Sequence, residues 1–404
     1  MAVWIAMILI AGFLCSRAIL SIATILWGAN ALRGTRVRDW FRQGWWLVGV
    51  LWVACYATSY FWSLNLEEWG ERVQVKLPFL LLPLASAYFP RLSRSQWETL
   101  VTGISVVLAT GVAWSIWWFF QDPQGIIRGY GSSQTLRTPA YNNHICFSAA
   151  LAATVFLCFM AWSVLLKKAR IIVCLCMLLF IAYLHLLAAK TGLLMLYVGL
   201  LVVFTKFVLR GNWKMAFTSI SITLLLAFVA YKASPTLRAR LGYFSYSFDQ
   251  YKAGNRQGNY SDPGRILSYD IAFRQIAKSP LTGYGAGDLM STMKLGYDKW
   301  YPDVADRDRL VPHNQFLCSA IAAGIPSMVL LLVWWALCLR EIPRSATGLL
   351  ARGGWLLLSV PLFVDPSFEI QLGIAVYLFY LLLYRAFSSQ VSQPAGLDLK
   401  WSLA

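Results

Sequence analysis

The sequence predicts an all-α polytopic integral membrane protein, about twelve transmembrane helices with one long outer loop that contains helices of its own. Three observations carry this expectation: the composition, the length of the apolar runs, and one polar segment far longer than any other. Of 404 residues, 58% are hydrophobic and only 13% charged, whereas soluble domains carry roughly 25% charged residues. A water-soluble fold is excluded. Roughly 20 apolar residues cross about 30 Å of hydrocarbon as a helix, which satisfies its own backbone hydrogen bonds. Many runs here are long enough.

Residues 1–32 are apolar but interrupted at Cys15-Ser16-Arg17, so two short helices joined by a turn are expected. With no basic region ahead of them and no small-residue cleavage pattern, they read as retained membrane segments rather than a signal peptide. Spans are then predicted at 45–63, 73–89, 100–120, 145–166, 171–188, 193–209 and 215–231, and after a gap at 316–339, 349–364 and 370–387. Tryptophans fall at many of the span ends, among them Trp4, Trp27, Trp40, Trp45, Trp62, Trp69, Trp97 and Trp213. They are expected to form the aromatic belt at the membrane interfaces.

Orientation follows from the basic residues. Alternate connections at 33–42, 90–97, 167–170, 206–214 and 340–352 hold fifteen Lys and Arg, while the connections between them hold four: Arg72, Arg128, Arg137 and Lys190. The basic set marks the cytoplasmic side. Residues 232–314, with twelve basic and eight acidic side chains and no spanning run, then lie outside. The expected organisation is N-terminal transmembrane helices at 1–231, the long loop at 232–314, C-terminal transmembrane helices at 315–387 and a cytoplasmic tail at 388–404. Loops of such length are uncommon unless functional or disordered; the tyrosines, prolines and apolar helical pattern of this one argue for order.

The net charge of +17 belongs to the orientation pattern, and no nucleic-acid partner is expected. All eight cysteines sit in apolar runs and the long loop has none, so neither a disulfide framework nor a metal site is implied.

In the loop, Ser261-Asp262-Pro263-Gly264-Arg265 precedes an apolar pattern through Ile266, Leu267, Ala272, Phe273 and Ile276. Ser or Asp caps and Pro suits a first helical turn. Arg265 would add its charge to free backbone N–H groups and a positive dipole end, an arrangement suited to pyrophosphate; a surface ion pair with Asp262 or Asp270 is the alternative. The run Gly283-Tyr284-Gly285-Ala286-Gly287 permits tight turns or a close backbone approach to a ligand, and because no strand precedes it a dinucleotide reading is rejected. At the loop's end His313, followed by Asn314, stands at the mouth of the next span, where an imidazole can take a proton near neutral pH. A solvated His beside an Asn314 helix cap fits the same residues. Of the other histidines, His185 reads as a satisfied bundle residue and His144 begins a span. Lys190 lies in a short outward turn, where snorkelling and phosphate binding both account for it. Asp365 and Glu369 bring carboxylates to the same side, either to orient basic groups, to contact sugar hydroxyls, or as a solvated turn. Arg137, Lys190, Arg265 and His313 come from four outward connections and are expected to converge on an anionic lipid headgroup, with Asn314, Tyr269 and Asp365 as further substrate-binding candidates.

Twelve apparent spans, the long loop, Gly264-Arg265 beside a helix, the glycine-rich turn and Pro312-His313-Asn314-Gln315-Phe316-Leu317 resemble the O-antigen ligase and polymerase superfamily over about residues 45–385. The Lys190-Thr191-Gly192 turn departs from the Ser-Arg-Thr-like turn of that family. The resemblance implies a bacterial inner-membrane enzyme with a periplasmic loop and active site. It would move O-polysaccharide from undecaprenyl pyrophosphate to lipid A-core, inverting the anomeric centre, with no metal, nucleotide sugar or other cofactor. In it His313 would be the base, and Arg265, with Arg137 and Lys190, would stabilise the leaving pyrophosphate. Membrane lipid would surround the spans, the spans would hold the polyprenyl tail, and the cleft between spans and loop would open sideways to lipid. The rival readings are an O-antigen polymerase, for which Arg274 to Gly285 supplies a single matching spacing, a protein O-oligosaccharyltransferase, and a lipid-linked glycan transporter. A transporter would favour charges within spans, where Arg17 is the main one.

Overall fold

The computed structural model describes residues 1–32, 41, 44–87, 91–132, 134–255, 261–342 and 346–391. Most of the basic connection at 33–42 and the tail beyond Val391 lie outside them. The described residues form helices and no strands.

Helices α1 (Ala2–Cys15) and α2 (Arg17–Leu32) pack against each other about an extended Ser16, the two-helix arrangement expected from the Cys15-Ser16-Arg17 interruption. Gly12 makes the close turn possible, since a Cβ there would overlap the backbone at Ile19 and Leu20. After α3 (Gly44–Thr58), the polar α4 (Leu66–Lys76) meets α5 (Pro78–Ala87) at Leu77. The segment expected to cross at 73–89 is therefore divided. Proline at 78 supplies no N–H to an incoming helix, and the chain there makes i→i+3 bonds instead, Leu77 N–H to Gln74 and Leu80 N–H to Leu77.

Eight described helices are long and apolar enough to cross a membrane. These are α6 (Arg94–Gln121), α8 (His144–Ala161), α9 (Lys167–Leu187), α10 (Lys190–Leu209), α11 (Trp213–Ala233), α15 (Gln315–Arg340), α16 (Ala346–Val364) and α17 (Gln371–Val391); the short α7 (Pro123–Tyr130) follows α6. The chain is a multi-pass membrane protein. The remaining apolar helices are shorter: α1, α2 and α3 have 14, 16 and 15 residues, roughly 21–24 Å at 1.5 Å per residue.

Helices α8 and α17 are almost wholly buried and form the axis of the bundle, with α6, α10 and α16 around them. Helix α11 is the opposite case: Phe217, Leu224, Leu225 and Phe228 are 60–74% exposed, an apolar face that lipid rather than water must cover. The tryptophans divide in the same way. Trp4 and Trp213 are exposed, but Trp27, Trp45 and Trp97 are buried, which corrects their assignment to the belt. Trp97 packs edge-on to Phe387 at 5.1 Å and donates to Gln390, and Trp27 meets Phe379 at 5.7 Å, because α17 is enclosed by its neighbours along its whole length.

The described residues of 232–314 form α12 (Pro235–Lys252), α13 (Ser261–Lys278) and α14 (Leu289–Trp300), with one short 3-10 turn before α14 and another after it. None of the three is a candidate span. A second apolar core, with Leu267, Ile271, Leu289, Met293 and Tyr297, sits beneath them against Cys318, Ala320 and Ile321 of α15. The loop is fastened to α15 through a break in that helix. Ala323 and Gly324 leave helical geometry, freeing backbone groups, and the glycine turn fills them: Tyr284 N–H donates to Ile321 O at 2.8 Å, Gly285 N–H to Ala322 O at 3.0 Å, and Ile325 N–H to Pro280 O at 2.7 Å. The close backbone approach anticipated for Gly283–Gly285 is thus made to a helix. Gly283 (φ 66°) and Gly324 (φ 80°) face each other there, and a Cβ on either would overlap the other strand of chain.

Candidate anion-binding site

The starts of α8, α10, α12, α13 and α15 place a cluster of charges at one end of the bundle. Lys190 is the first residue of α10, Arg240 lies in the second turn of α12, and Asp262 and Arg265 lie in the first turns of α13. His144 opens α8 and His313 precedes α15. Helix starts present free N–H groups and positive dipole ends, which favours an anion. The competing carbonyl end of α9 is capped: Leu187 O accepts from Tyr130 (2.7 Å), His185 O from Ser234 (3.0 Å) and Leu186 O from Thr236 (2.5 Å). Ser234 also caps α12 by accepting from Leu237 N–H, so α12 is stapled beside Lys190. Thr191 and Gly192 are buried, and Gly192 lies so close to Ser148 that a Cβ would overlap it.

Asp262 joins the cations. Its carboxylate accepts from Lys190 and lies 3.9 Å from the Arg265 guanidinium. Nε of Arg265, and Nε and Nη1 of Arg240, are buried without a hydrogen-bond partner. Burial lowers the pKa of Arg240 from the usual arginine range, with Asp262 opposing and Arg265 reinforcing that shift. Three cations thus share one carboxylate, and an unpaired buried donor costs about 1–3 kcal/mol or more when charged. An arriving anion with several oxygens would relieve that cost.

The His313 and Asp365 pair stands within electrostatic reach of this cluster. His313 Nδ1 is 3.6 Å from Asp365 Oδ1, both largely buried, a separation longer than a hydrogen bond. Ser367 donates to the other Asp365 oxygen at 3.1 Å. Tyr269 links the two groups: its hydroxyl donates to His313 O at 2.7 Å, and its phenol pKa is raised by burial and by Asp365, and lowered by Arg265. The His144 ring feels Arg240, Arg265 and Asp365 together. Asn314 uses its side chain structurally, accepting from Phe316 and Leu317 N–H at 2.9 and 3.1 Å and donating to Phe363 O at 3.3 Å. Arg137 stands apart. It is exposed, lies 4.4 Å above the Trp118 ring and borders a separate cavity.

Behind His313 and Asp365 lies a buried ion network. Glu369 accepts from Tyr56 (3.0 Å), Arg72 (3.0 Å), Lys76 (3.0 Å) and Gln315 (2.9 Å), and Gln315 in turn accepts from Phe368 N–H at 2.7 Å. Lys76 is fully buried and sits 4.1 Å over the Tyr56 ring. Burial alone would raise the Glu369 pKa, but Lys76 and Arg72 outweigh it and hold the carboxyl at about 2. Gln315 follows His313-Asn314 and Glu369 follows Asp365 by four residues, so this network fixes both arms of the His313 and Asp365 pair. No group of three or more His, Cys, Asp or Glu with metal-holding geometry occurs among the described residues.

Residues 172–332 match the family described as O-Antigen ligase. Over that stretch the chain is similar to the O-antigen ligase superfamily. No curated protein matches it. Members of that superfamily are glycosyltransferase-like enzymes, and in this chain the matched stretch runs from early α9 into α15. It therefore contains Lys190, Arg240, Asp262, Arg265, Tyr269, His313 and Asn314; Arg137, His144, Asp365 and Glu369 lie outside it. Arg240 and Lys76 escaped the sequence reading, which singles out Glu369 as a carboxylate able to orient basic groups without naming its partners. Arg240 sits in Arg238-Ala239-Arg240, where nothing but fold separates one arginine from the other.

Proposed function

We propose that this protein is an O-antigen ligase, an inverting glycosyltransferase working without metal or other cofactor at the periplasmic face of the bacterial inner membrane. It moves O-polysaccharide from undecaprenyl pyrophosphate to lipid A-core. The observation that carries the reading is the set of unpartnered guanidinium nitrogens on Arg240 and Arg265, gathered with Lys190 at converging helix starts beside a His and Asp pair.

In this reading Lys190, Arg240 and Arg265 receive the pyrophosphate. His313, its Nδ1 turned to Asp365, takes the acceptor hydroxyl proton on Nε2. The hydroxyl oxygen bonds to the anomeric carbon as the bond from that carbon to the pyrophosphate oxygen breaks. The electron pair stays on undecaprenyl pyrophosphate, whose growing charge the three preorganised cations stabilise in a partly dehydrated site. Tyr269 and Asn314 position His313 through its carbonyl and the start of α15. Twelve crossings, with α1, α2, α3 and the α4 and α5 pair contributing four, place the α12 to α14 loop outside.

The test uses purified full-length protein in detergent with chelator present and no nucleotide. Undecaprenyl-pyrophosphate-linked glycan and lipid A-core are supplied, and transfer is followed on a gel for wild type, His313→Ala, Arg265→Ala and Arg240→Ala. Transfer to lipid A-core by wild type, lost in the first two variants and weakened roughly 10-fold or more in Arg240→Ala through a charged hydrogen bond worth about 1.5–3 kcal/mol, is the expected result. Elongation of a lipid-linked oligosaccharide with no transfer to core would make the chain a polymerase. Full activity in all three variants would overturn the mechanism.

A further inference from the structure

A cavity of about 600 Å³ lies away from the cationic cluster, between the ends of α1 and α6 and the 137–142 segment. Its walls include Leu14, Thr110, Trp114, Arg137, Thr138 and Tyr141. Much of the wall is apolar, but two guanidiniums stand beside it. Arg137 is laid over Trp118 at 4.4 Å and Arg17 over Tyr141 at 4.7 Å; neither forms an ion pair among the described residues. A third observation points to a ligand. Thr138 is 2% exposed, lines the cavity, and its hydroxyl has no hydrogen-bond partner.

The backbone is bent to make this wall. Ala140, Tyr141 and Asn142 are consecutive non-glycine residues at φ 57–60°, a left-handed run that L side chains rarely adopt. The turn is locked by Asn142, which accepts from Thr138 N–H at 3.0 Å, and by the Tyr141 hydroxyl, which accepts from Arg17 N–H at 2.9 Å. Residues 137–142 line the cavity, while Thr135 and His144 on either flank meet each other at 3.4 Å and His144 belongs to the cationic cluster. One ten-residue segment is therefore a wall of both places.

We infer that this cavity is a second lipid site that binds an amphiphile through an anionic phosphate headgroup. Arg137 and Arg17 are the charged contacts, the Thr138 hydroxyl is a donor to a phosphate oxygen, and Leu14 and Trp114 hold the apolar part next to the headgroup. Guanidiniums held over aromatic faces keep their N–H donors oriented and available to an anion. Two sources supply this chemistry: a phosphorylated glycolipid acceptor, or an anionic phospholipid of the surrounding bilayer. The first source rests on the transfer reaction proposed above; the site itself does not.

The test measures lipid retention by native mass spectrometry on full-length protein, with phosphatidylcholine as the zwitterionic, net-neutral reference and phosphatidylglycerol or lipid A-core as the probe. Wild type is expected to retain the anionic probe. Arg17→Ala with Arg137→Ala should weaken retention at least tenfold, and Arg265→Ala, in the other cluster, should leave the Arg137-dependent component in place. Thr138→Val keeps the volume and removes an unpaired hydroxyl, so it should weaken retention severalfold without lowering the thermal midpoint, the reverse of what a purely structural Thr138 would give. Displacement of phosphatidylglycerol by substoichiometric lipid A-core identifies the acceptor as the source; equal competition identifies bulk phospholipid; both support the site. Equal retention in wild type and the double variant, or equal retention of phosphatidylcholine and phosphatidylglycerol, overturns it. Arg137-dependent retention without any glycan transfer would leave the site standing while the ligase reading falls.

Discussion

His313 and Arg265 carry different halves of the proposed transfer, and substitution should separate them. His313→Ala removes a proton acceptor but none of the three cations. Turnover should fall about 10²–10⁴-fold, the usual range for a general base, while affinity for the lipid pyrophosphate stays within a few-fold; single-turnover transfer and equilibrium donor binding on the same preparation check both. Glu369 acts a step further back. With its carboxyl held at about 2, below the ordinary glutamate value of about 4.3, it contributes stability that is fully present above that ordinary value and is lost as pH falls through the folded one. Glu369→Gln leaves Lys76 and Arg72 buried against a neutral amide, a change that costs roughly 3–5 kcal/mol when a buried pair loses one partner. Thermal midpoints in detergent should drop at pH 7 and lose part of their decline between pH 5 and 2.5. Arg265 and His313 were legible because each sits in a local pattern, a helix start and the mouth of a span. Arg240 was not: on α12 two positions apart means different faces, and Arg238 turns to the carbonyls of Tyr231 and Lys232 while Arg240 turns inward. Nor could spacing pair Glu369 with Lys76, 293 residues away.

At the scale of elements, the loop and the membrane bundle are joined where α15 opens. Gly324 has φ 80° and ψ 169°, a region that is essentially glycine-only, and the Leu281 carbonyl oxygen occupies the space of a Cβ. Gly324→Ala should therefore cost roughly 1–3 kcal/mol from backbone geometry alone and loosen the docked turn. Amide exchange at Tyr284, Gly285 and Ile325 should quicken, with His313, one helix-start away, reduced in activity; unchanged exchange would show that α15 tolerates the Cβ. The sequence marked the glycine run and the span separately, but the junction requires knowing that both backbones are irregular at the same place. The break at Ser16 was readable because Cys15-Ser16-Arg17 is itself polar. The division of 73–89 was not read, because hydropathy averaging passed over Pro78, and α4 carries its charges toward Glu369 instead of into lipid.

For the molecule as a whole, hydropathy gave the class of fold and the distribution of basic residues gave a direction, while enclosure had to come from packing. The same apolar composition serves α17, wrapped by protein, and α11, whose phenylalanines and leucines face outward; a run of leucines does not say which neighbour will cover it. Direction is the property on which the proposed chemistry depends, since donor and acceptor must meet on one face. The α12 to α14 loop and the connection between α10 and α11 should lie on opposite sides of the membrane. With the exposed Cys15 and Cys174 replaced by serine, Asp303→Cys in the loop should react with a membrane-impermeant maleimide on intact spheroplasts. Lys214→Cys, in the first turn of α11 and close to Arg210, should react only after permeabilisation. The fifteen-to-four bias of basic residues predicts this order because Lys and Arg near span ends resist translocation, whereas a loop of about 80 residues crosses regardless of charge. The reverse labelling would put Lys190, Arg240, Arg265 and His313 on the cytoplasmic side, where the charge bias would have no meaning and a periplasmic transfer could not be catalysed by this cluster.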